Sequence, residues 1–262
     1  YIDESLKKIL KNKNISSFFN KLKLVTSLKT GKIKKIIDKS RKEILNKKYD
    51  TEVAFCDGFS HIFVANGETP NKIAWMHVDI SVQNDSKRYY KLVKESLHKM
   101  DMCVCVSDKV LEAYKEYYNI DKIQTIHNII DDEKIKSDAD EDFDNIFSEN
   151  KISLVSVGRV DVQKNYRRLV NVHKKLIDEG YNIQTFVIGD GIEKNELENL
   201  VKQNKNCDTF KFIGRKDNPF PYVKNANLFV LSSSYEGLPT VLYESIIVGT
   251  PCITTDVAGV HE

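Results

Sequence analysis

The residues with the most specific chemistry lie in the segment 232–244, near the end of the chain. Glu236 and Glu244 are separated by seven residues, and Gly237 and Pro239 follow Glu236 directly. Because proline suits the first turn of a helix, we expect Glu236 in a loop and Glu244 about 7–8 Å along the helix axis. The free N–H groups of such a helix start bind anions. A carboxylate there accepts hydrogen bonds from ligand hydroxyls such as those of ribose, or from neighbouring backbone and hydroxyl groups.

A second candidate cluster is Arg159 and Lys164, which follow Gly158. Only six of the 40 basic residues are arginine, so each arginine carries more information than a lysine does. The glycine permits a tight turn into the loop. An arginine and a lysine at the end of a strand suit the binding of a diphosphate, although surface charge is the simpler interpretation of Lys164.

Both clusters follow predicted strands in the second half of the chain. Strands alternate there with helices, which predicts a parallel sheet covered on both faces, with the loops after the strands along one edge. Gly189-Asp190-Gly191 falls at this edge, but it is not a complete dinucleotide fingerprint and equally serves turn geometry. The predicted strands are Ile152–Val157, Ile183–Ile188, Thr209–Ile213, Leu228–Leu231 and Pro251–Thr255, and the helices are Tyr166–Glu179, Ile192–Lys205, Pro219–Asn225 and Pro239–Val248.

The first half shows the same alternation with weaker signals. The predicted strands are Thr51–Phe55, Lys72–His77, Met102–Val106 and Lys122–Ile126, and the helices are Phe59–Ala65, Asp85–Lys99 and Asp108–Tyr118. Residues 131–149 hold nine acids and two lysines, which is typical of a surface connection. We therefore predict an α/β protein with one domain over 1–130, an acidic linker over 131–150 and a second domain over 151–262.

Charge is distributed unevenly along the 262 residues. Residues 1–50 hold 15 basic and 5 acidic residues, whereas the whole chain has a net charge of only +2. This segment reads as amphipathic helices, which either bind an anionic membrane surface or present a solvated face. The acidic remainder and the lack of a recognition motif argue against nucleic-acid binding. The apolar residues of the segment are Leu6, Ile9, Leu10, Phe18, Phe19, Leu22, Ile33, Ile36 and Ile37.

The five cysteines are odd in number and form no CxxC pair. Cys103 and Cys105 share one face of a predicted buried strand. We interpret them as reduced, buried thiols, with zinc binding or redox activity as alternatives. Reduced thiols are typical of a cytoplasmic protein.

Several segments together resemble the large GT4 family of retaining glycosyltransferases. The resemblance covers residues 49–262, in the order and spacing of that family. It implies the GT-B fold, in which two Rossmann-like domains each have a parallel sheet. Glu236 and Glu244 match the E-x7-E motif of the family. The segments are YDTEVAFCDGFSHIF, KIAWMHVD, MDMCVCVSDKVLEAY and IQTIHNIID in the first half, and GRVDVQKNYRRLV, FVIGDG, TFKFIG and NANLFVLSSSYEGLPTVLYESIIVGTPCITTDVAG in the second.

The resemblance implies transfer of a sugar, hexosyl or N-acetylhexosaminyl, from a nucleotide-sugar to an acceptor hydroxyl with retention of configuration. UDP-sugars are the common donors in such relatives. The acceptor is then a glycan or a lipid-linked glycan of surface polysaccharide synthesis, at the inner face of a membrane. No metal and no cofactor are expected, because the nucleotide-sugar is itself a substrate.

The donor-site roles are carried over residue by residue. Arg159 and Lys164 match the pair that holds the diphosphate and stabilises leaving-group charge, a role that electrostatics explains. Glu236 matches the carboxylate that contacts the donor sugar, and Glu244 matches the one that contacts the ribose. The backbone amides expected near the sugar and phosphates are those of Gly237, Leu238 and Thr240, whereas Pro239 has none.

Two further positions follow from the resemblance. His77 matches a catalytic-site histidine that faces the cleft from the acceptor side, and its alternative is a purely structural histidine. Arg215 and Lys216 lie where relatives often contact the base.

The chain also departs from the family. The first strand and its glycine-rich loop are missing before residue 1, and the chain stops where relatives continue. We therefore expect an internal fragment in which both domains are incomplete. The alternatives are a GT-B nucleotide-sugar epimerase or phosphorylase, or a noncatalytic module that binds a nucleotide-sugar.

Overall fold

A computed structural model describes residues 26–27, 33–45, 47–80 and 87–262. These residues fall into two compact units, one with the described residues up to Cys105 and 111–125, the other with 106–110 and 126–262. Within this part of the chain, no helix is both long and apolar enough to cross a bilayer. The amphipathic helices predicted around Leu6, Ile9, Leu10, Phe18, Phe19 and Leu22 lie outside the described residues.

The first half of the chain folds around a four-stranded parallel sheet. Its strand order is β1-β2-β3-β4, so each strand pairs with the next one along the chain. The strands are β1 (Thr51–Ala54), β2 (Asn71–Met76), β3 (Met102–Cys105) and β4 (Ile123–Thr125), and the helices are α1 (Ile33–Ile44), α2 (Phe59–Ala65), α3 (Lys87–Leu97) and α4 (Asp108–Tyr118).

One face of this sheet is built from small or slender side chains. Cys103 pairs with Ala74 and Cys105 with Met76, and all four residues are at most 1% exposed. All five cysteines are free, and the predicted burial of Cys103 and Cys105 is confirmed. Because burial disfavours a thiolate, it raises the pKa of Cys103 to about 12 and the pKa of Cys105 still further. These thiols are packing groups in the sheet.

Arg41 fastens the lysine-rich helix α1 to the first strand. Its guanidinium donates to both carboxylate oxygens of Glu52, at 2.8 and 2.7 Å, and to the carbonyl of Phe63 at 2.7 Å. Both charged side chains are only 11% exposed, and the hydrogen bond from Arg41 is the main cause that lowers the pKa of Glu52. A planar guanidinium suits this bidentate contact, which explains an arginine among so many lysines.

The second unit contains a five-stranded parallel sheet of order β7-β6-β5-β8-β9. The chain runs outward from β5 to β7 and then crosses to β8 on the other side of β5. The strand order therefore reverses between β5 and β8, and ligands of such sheets bind at a reversal point of this kind. The strands are β5 (Ile152–Val157), β6 (Ile183–Ile188), β7 (Phe210–Gly214), β8 (Leu228–Leu231) and β9 (Cys252–Thr254), and the helices are α5 (Asp132–Ala139), α6 (Tyr166–Asp178), α7 (Lys194–Gln203), α8 (Phe220–Lys224) and α9 (Thr240–Ile247).

The acidic segment 131–150 is more than the surface connection that its charge predicts. Residues 132–139 form helix α5, which the side chain of Asp131 caps by accepting from the N–H of Lys134. Phe143 and Phe147 pack against the core of the second unit, with Phe143 edge-on to Tyr222 at 5.0 Å. Charge counting missed this because the few apolar residues of the segment share one side.

The loops after β5 and β6 touch through their backbones. The N–H of Gly158 donates to the carbonyl of Ile188 at 3.0 Å, and the N–H of Val160 donates to that of Asp190 at 2.9 Å. Gly189 has φ +151°, and a Cβ added there would lie 1.9 Å from the carbonyl oxygen of Gly158. The Gly-Asp-Gly run therefore serves the close approach of two loops.

A buried histidine joins helix α6 to the sheet. The ring of His173 is hydrogen-bonded to the hydroxyls of Thr185, at 2.8 Å, and of Thr209, at 3.0 Å. His173 is 1% exposed. Because burial disfavours the imidazolium, the pKa of His173 falls to about 4.

Substitution of Gly189 by alanine tests the contact between the two loops. We expect Gly189→Ala to lower the free energy of unfolding by at least about 3 kcal/mol, because a methyl group forces the loops apart. The matched control is Gly180→Ala, which also has a positive φ but meets no atom within 4 Å. It should lower the free energy of unfolding by only about 1–2 kcal/mol of backbone strain. Urea denaturation measures both, and equal losses would contradict the contact.

The buried His173 predicts a loss of stability in acid. The unfolded chain binds a proton on this residue below pH ~6.5, whereas the folded chain binds it only near pH 4. The free energy of unfolding therefore falls by up to about 3 kcal/mol as the pH falls through this window. His173→Gln should flatten that dependence when melting is measured between pH 7 and 4.5. The exposed His98→Gln serves as the control, and a slope unchanged in His173→Gln would disprove the assignment.

Candidate active site

Lys164 and Glu236 form an ion pair at the carboxyl edge of the second sheet. The ammonium of Lys164 lies 2.7 Å from Oε1 of Glu236, and the two side chains are only 13% and 9% exposed. Ser233 donates to the same oxygen at 2.6 Å, and Nε2 of Gln163 donates to Oε2 at 3.3 Å. Two charges tolerate burial only when they are paired and hydrogen-bonded, as they are here.

The sheet topology brings the two charges together. Lys164 ends the loop after β5, and Glu236 lies in the loop after β8, the strand next to β5. The N–H of Ser234 donates to the carbonyl of Gln163 at 2.8 Å, and the hydroxyl of Ser232 donates to that of Lys164 at 2.8 Å. The pair therefore sits at the point where the strand order reverses, with its two loops joined by hydrogen bonds.

Gly158 makes room for Lys164. A Cβ at this position would lie 3.1 Å from Cε of Lys164 and 3.0 Å from the hydroxyl of Tyr166. The conformation of Gly158 is not left-handed. This glycine thus does not provide a left-handed turn, and its lack of a side chain leaves space over which the stem of Lys164 packs.

Glu244 lies on helix α9, one turn beyond its start, and is half-buried. Burial is the main cause that raises its pKa, and a hydrogen bond from Thr240 and the charge of Lys164 act against that rise. Thr240 and Lys164 are thus the partners that a carboxylate among apolar neighbours requires. The positive charge of Lys164 thus interacts with both glutamates of the E-x7-E motif.

Arg159 connects to the pair through Gln163. Its guanidinium donates to Oε1 of Gln163 at 3.1 Å, and the amide nitrogen of the same glutamine donates to Glu236. Asp161 lies 3.5 Å from the guanidinium, and the Arg159 side chain is 73% exposed. An exposed ion pair of this kind is weak, so Arg159 can turn toward an anionic ligand at small cost.

The start of helix α9 lies directly after Glu236. The helix begins at Thr240, one residue later than predicted, with Pro239 at its N-cap. Gly237, Leu238 and Pro239 are buried, and Thr240 is half-buried. The first N–H groups of a helix have no partner inside it, so the predicted anion-binding end of α9 lies next to the ion pair in the chain.

Arg215 and Lys216 follow β7 at the same edge of the sheet. Arg215 is exposed, and the ammonium of Lys216 lies 5.4 Å from the ring centre of Tyr222. Lys216 also lines a surface pocket together with Glu141, Asp142 and other residues of the acidic segment. The contacts of Lys216 are thus with helix α8 and the acidic segment, and the predicted contact with a base stays a prediction.

His77 lies in the first unit, directly after β2. Its backbone N–H donates to Oδ2 of Asp57 at 3.0 Å, and its ring meets the ring of Phe55 edge-on at 4.7 Å. The catalytic role that the resemblance gives to His77 stays a prediction.

The acidic segment repeats aspartate at every second position from Asp138 to Asp144, a spacing that occurs in some metal sites. Among the described residues, no group of three or more His, Cys, Asp or Glu side chains could hold a metal ion. Asp140 instead pairs with Lys224, and the carbonyl of Asp138 accepts from the amide of Asn218 at 2.7 Å.

Sequence reasoning missed Gln163 and Ser233. Both lie beside residues that it selected, in the segments DVQKN and SSSYEG. Both fall at the carboxyl edge of adjacent strands, and that position was the available signal. Only the structure shows that each donates to Glu236.

The protein-family comparison identifies the second half of the chain. Residues 137–262 match the family described as glycosyl transferases group 1. The N-acetyl-alpha-D-glucosaminyl L-malate synthase of Bacillus anthracis is 26% identical over 238 residues, which are 88% of this chain and 61% of that protein. The amylovoran biosynthesis glycosyltransferase AmsD of Erwinia amylovora is 30% identical over 114 residues, which are 44% of this chain and 32% of that protein.

The same fold occurs in solved structures. HepE of Anabaena, solved in complex with UDP, superposes with a TM-score of 0.66 at 14% identity and covers 87% of this chain and 64% of that one. This likeness confirms the predicted α/β fold of the GT-B type with parallel sheets. The chain spans less than two thirds of the length of each of these proteins. Residues 137–262 are thus similar to the family of glycosyl transferases group 1.

Proposed function

We propose that the chain is part of a retaining glycosyltransferase that moves a hexosyl or N-acetylhexosaminyl group from a UDP-sugar to an acceptor hydroxyl. The observation that carries this proposal is the buried Lys164–Glu236 pair at the reversal point of the sheet. The match of residues 137–262 to the family, the UDP bound by HepE and the activities named for the two relatives support it.

The basic residues suit a diphosphate that leaves with its bonding electrons. Arg159 and Lys164 supply two positive charges, and the start of helix α9 supplies amide N–H groups. As the bond from the sugar to the diphosphate breaks, negative charge grows on the leaving oxygen. Fixed positive groups in a site with little water stabilise that charge strongly. Lys164 is the better placed of the two cations, because its side chain is largely buried.

The two glutamates suit the hydroxyl groups of the donor. In the absence of a ligand, Glu236 accepts from Lys164, Ser233 and Gln163. When the ammonium of Lys164 binds the diphosphate, Oε1 of Glu236 loses a donor. This oxygen can then accept a hydrogen bond from a hydroxyl of the donor sugar. Glu244 lies four residues after the start of α9, about 6 Å along the helix axis, and is assigned to the ribose.

The acceptor is proposed to be a glycan or lipid-linked glycan of surface polysaccharide synthesis, at the inner face of a membrane. The relative from Erwinia is named for amylovoran biosynthesis, which supports this class of product. Helix α1 buries Ile33 and Ile37 and exposes lysines along its other side. Such a basic face attracts anionic headgroups. The exposed lysines of this helix are Lys34, Lys35, Lys39 and Lys42.

Nucleotide binding tests the donor site directly. We expect UDP, but not GDP or ADP, to raise the melting temperature of the protein. A ligand at 100 times its Kd adds about 2.7 kcal/mol to the free energy of unfolding. Lys164→Gln should abolish this shift, whereas Lys202→Ala, at an exposed position of α7, should keep it. A wild-type protein whose melting temperature responds to no nucleotide would contradict the proposed donor site.

Substitution of Glu236 separates binding from catalysis. We expect Glu236→Gln to retain the UDP-induced rise in melting temperature but to lower sugar transfer from a panel of UDP-sugars by about 100-fold or more, because the charge facing the reacting sugar is lost. The anomeric configuration of the wild-type product, read by NMR, tests retention. Unchanged turnover in Glu236→Gln would remove this residue from the mechanism, and an inverted product would overturn the retaining assignment.

A further inference from the structure

Asp57 joins three elements of the first unit through one carboxylate. It lies in the loop after β1 and is half-buried. Its Oδ1 accepts from the hydroxyl of Tyr114, on helix α4, at 2.6 Å. Its Oδ2 accepts from the backbone N–H of His77, just beyond β2, at 3.0 Å. The end of β1, the end of β2 and helix α4 are therefore held at fixed distances from one another.

The hydrogen bond to Asp57 holds the backbone from which the ring of His77 extends. The ring meets Phe55 edge-on, and Phe55 is itself 58% exposed. The Nε2 atom of His77 is buried and has no hydrogen-bond partner in the part of the chain that the structure describes. Among the contacts that His77 makes with described residues, the charge-assisted bond from its backbone to Asp57 is thus the strongest.

Tyr114 fixes the other end of the carboxylate. The tyrosine is 2% exposed, and burial together with the neighbouring Asp57 raises the pKa of its hydroxyl, so this group stays a donor at neutral pH. A carboxylate that accepts two hydrogen bonds from opposite elements has few orientations left. It transmits the position of helix α4 to the backbone of His77.

We propose that Asp57 is a positioning residue that sets the place of His77 for the transfer reaction. This inference rests on the proposed function, since His77 matters there as a predicted catalytic residue. Small displacements of a reacting group reduce rates strongly, by about 100-fold for 1 Å. Loss of the anchor should therefore lower kcat and leave the KM for the donor nearly unchanged.

The chemistry of Asp57 offers a conservative variant with a definite expectation. In Asp57→Asn, the amide oxygen still accepts from the N–H of His77, and the amide NH2 donates to the tyrosine oxygen, which then acts as an acceptor. Both hydrogen bonds survive without the charge. Asp57→Ala removes both and leaves the hydroxyl of Tyr114 buried without a partner, whereas Tyr114→Phe removes only one.

The experiment compares these variants in the transfer assay and in backbone NMR. Melting temperatures first show which variants fold. We expect kcat to fall about 30-fold or more in Asp57→Ala, about 3-fold to 10-fold in Tyr114→Phe and less than 3-fold in Asp57→Asn. In a His77→Ala background, Asp57→Ala should have no further effect, because both changes act through the same group. Amide hydrogen exchange at His77 should speed up at least 10-fold in Asp57→Ala and remain slow in Asp57→Asn.

The possible outcomes test two statements, the positioning role of Asp57 and the proposed function. A kcat in Asp57→Ala equal to that of the wild type, or a loss that adds fully to that of His77→Ala, overturns the positioning role. If Asp57→Ala does not fold, the other two variants decide whether Asp57 positions His77. A kcat of Tyr114→Phe that is not below the kcat of Asp57→Asn then overturns the positioning role. If the wild-type protein transfers no sugar at all, the proposed function fails. In that case, unchanged amide exchange at His77 in Asp57→Ala or Tyr114→Phe still disproves the anchor.

Discussion

Lys164 and Glu236 place opposite charges in the interior of the second unit, and each makes the burial of the other tolerable. Desolvation would be prohibitive for either group alone. The surrounding hydrogen bonds follow from this constraint, since Ser233 and Gln163 both donate to the carboxylate. The loops after β5 and β8 must then stay in register, or a charge is left buried without a partner. The geometry of the carboxyl edge is therefore set by electrostatics as much as by the sheet.

The sheet supplies the frame in which this constraint can be met. The loops after β5 and β6 can touch because Gly189 has no side chain. A Cβ there would collide with the carbonyl oxygen of Gly158. Two hydrogen bonds join the β5 loop to the β8 loop on its other side. In the first unit, the carboxylate of Asp57 similarly holds two strand ends and a helix together. In both units, one carboxylate collects donors from separate elements.

Periodicity and turn residues predicted nearly every described strand and helix to within one or two residues. They did so because parallel strands such as Leu228–Leu231 are short apolar runs bounded by polar residues. Lys164 and Glu236 are 72 residues apart in the sequence. Their contact could be anticipated only from the expectation that both lie at the same edge of the sheet. Local patterns carried no signal for Asp57, whose partners His77 and Tyr114 come from two other elements. Charge composition misjudged the segment 131–150, because a few aromatic side chains outweigh many solvated acids in packing.

The pairing of Lys164 with Glu236 also governs how strongly this edge of the sheet attracts the small anions of a cell. A lone buried lysine would attract chloride or inorganic phosphate, and a larger ligand would have to displace them. Here the counter-charge is built into the chain, so a small anion gains little by entering. A ligand has to replace the carboxylate as partner of the ammonium and also offer hydroxyls to the carboxylate it displaces. Discrimination against free phosphate is thus a property of the ion pair itself.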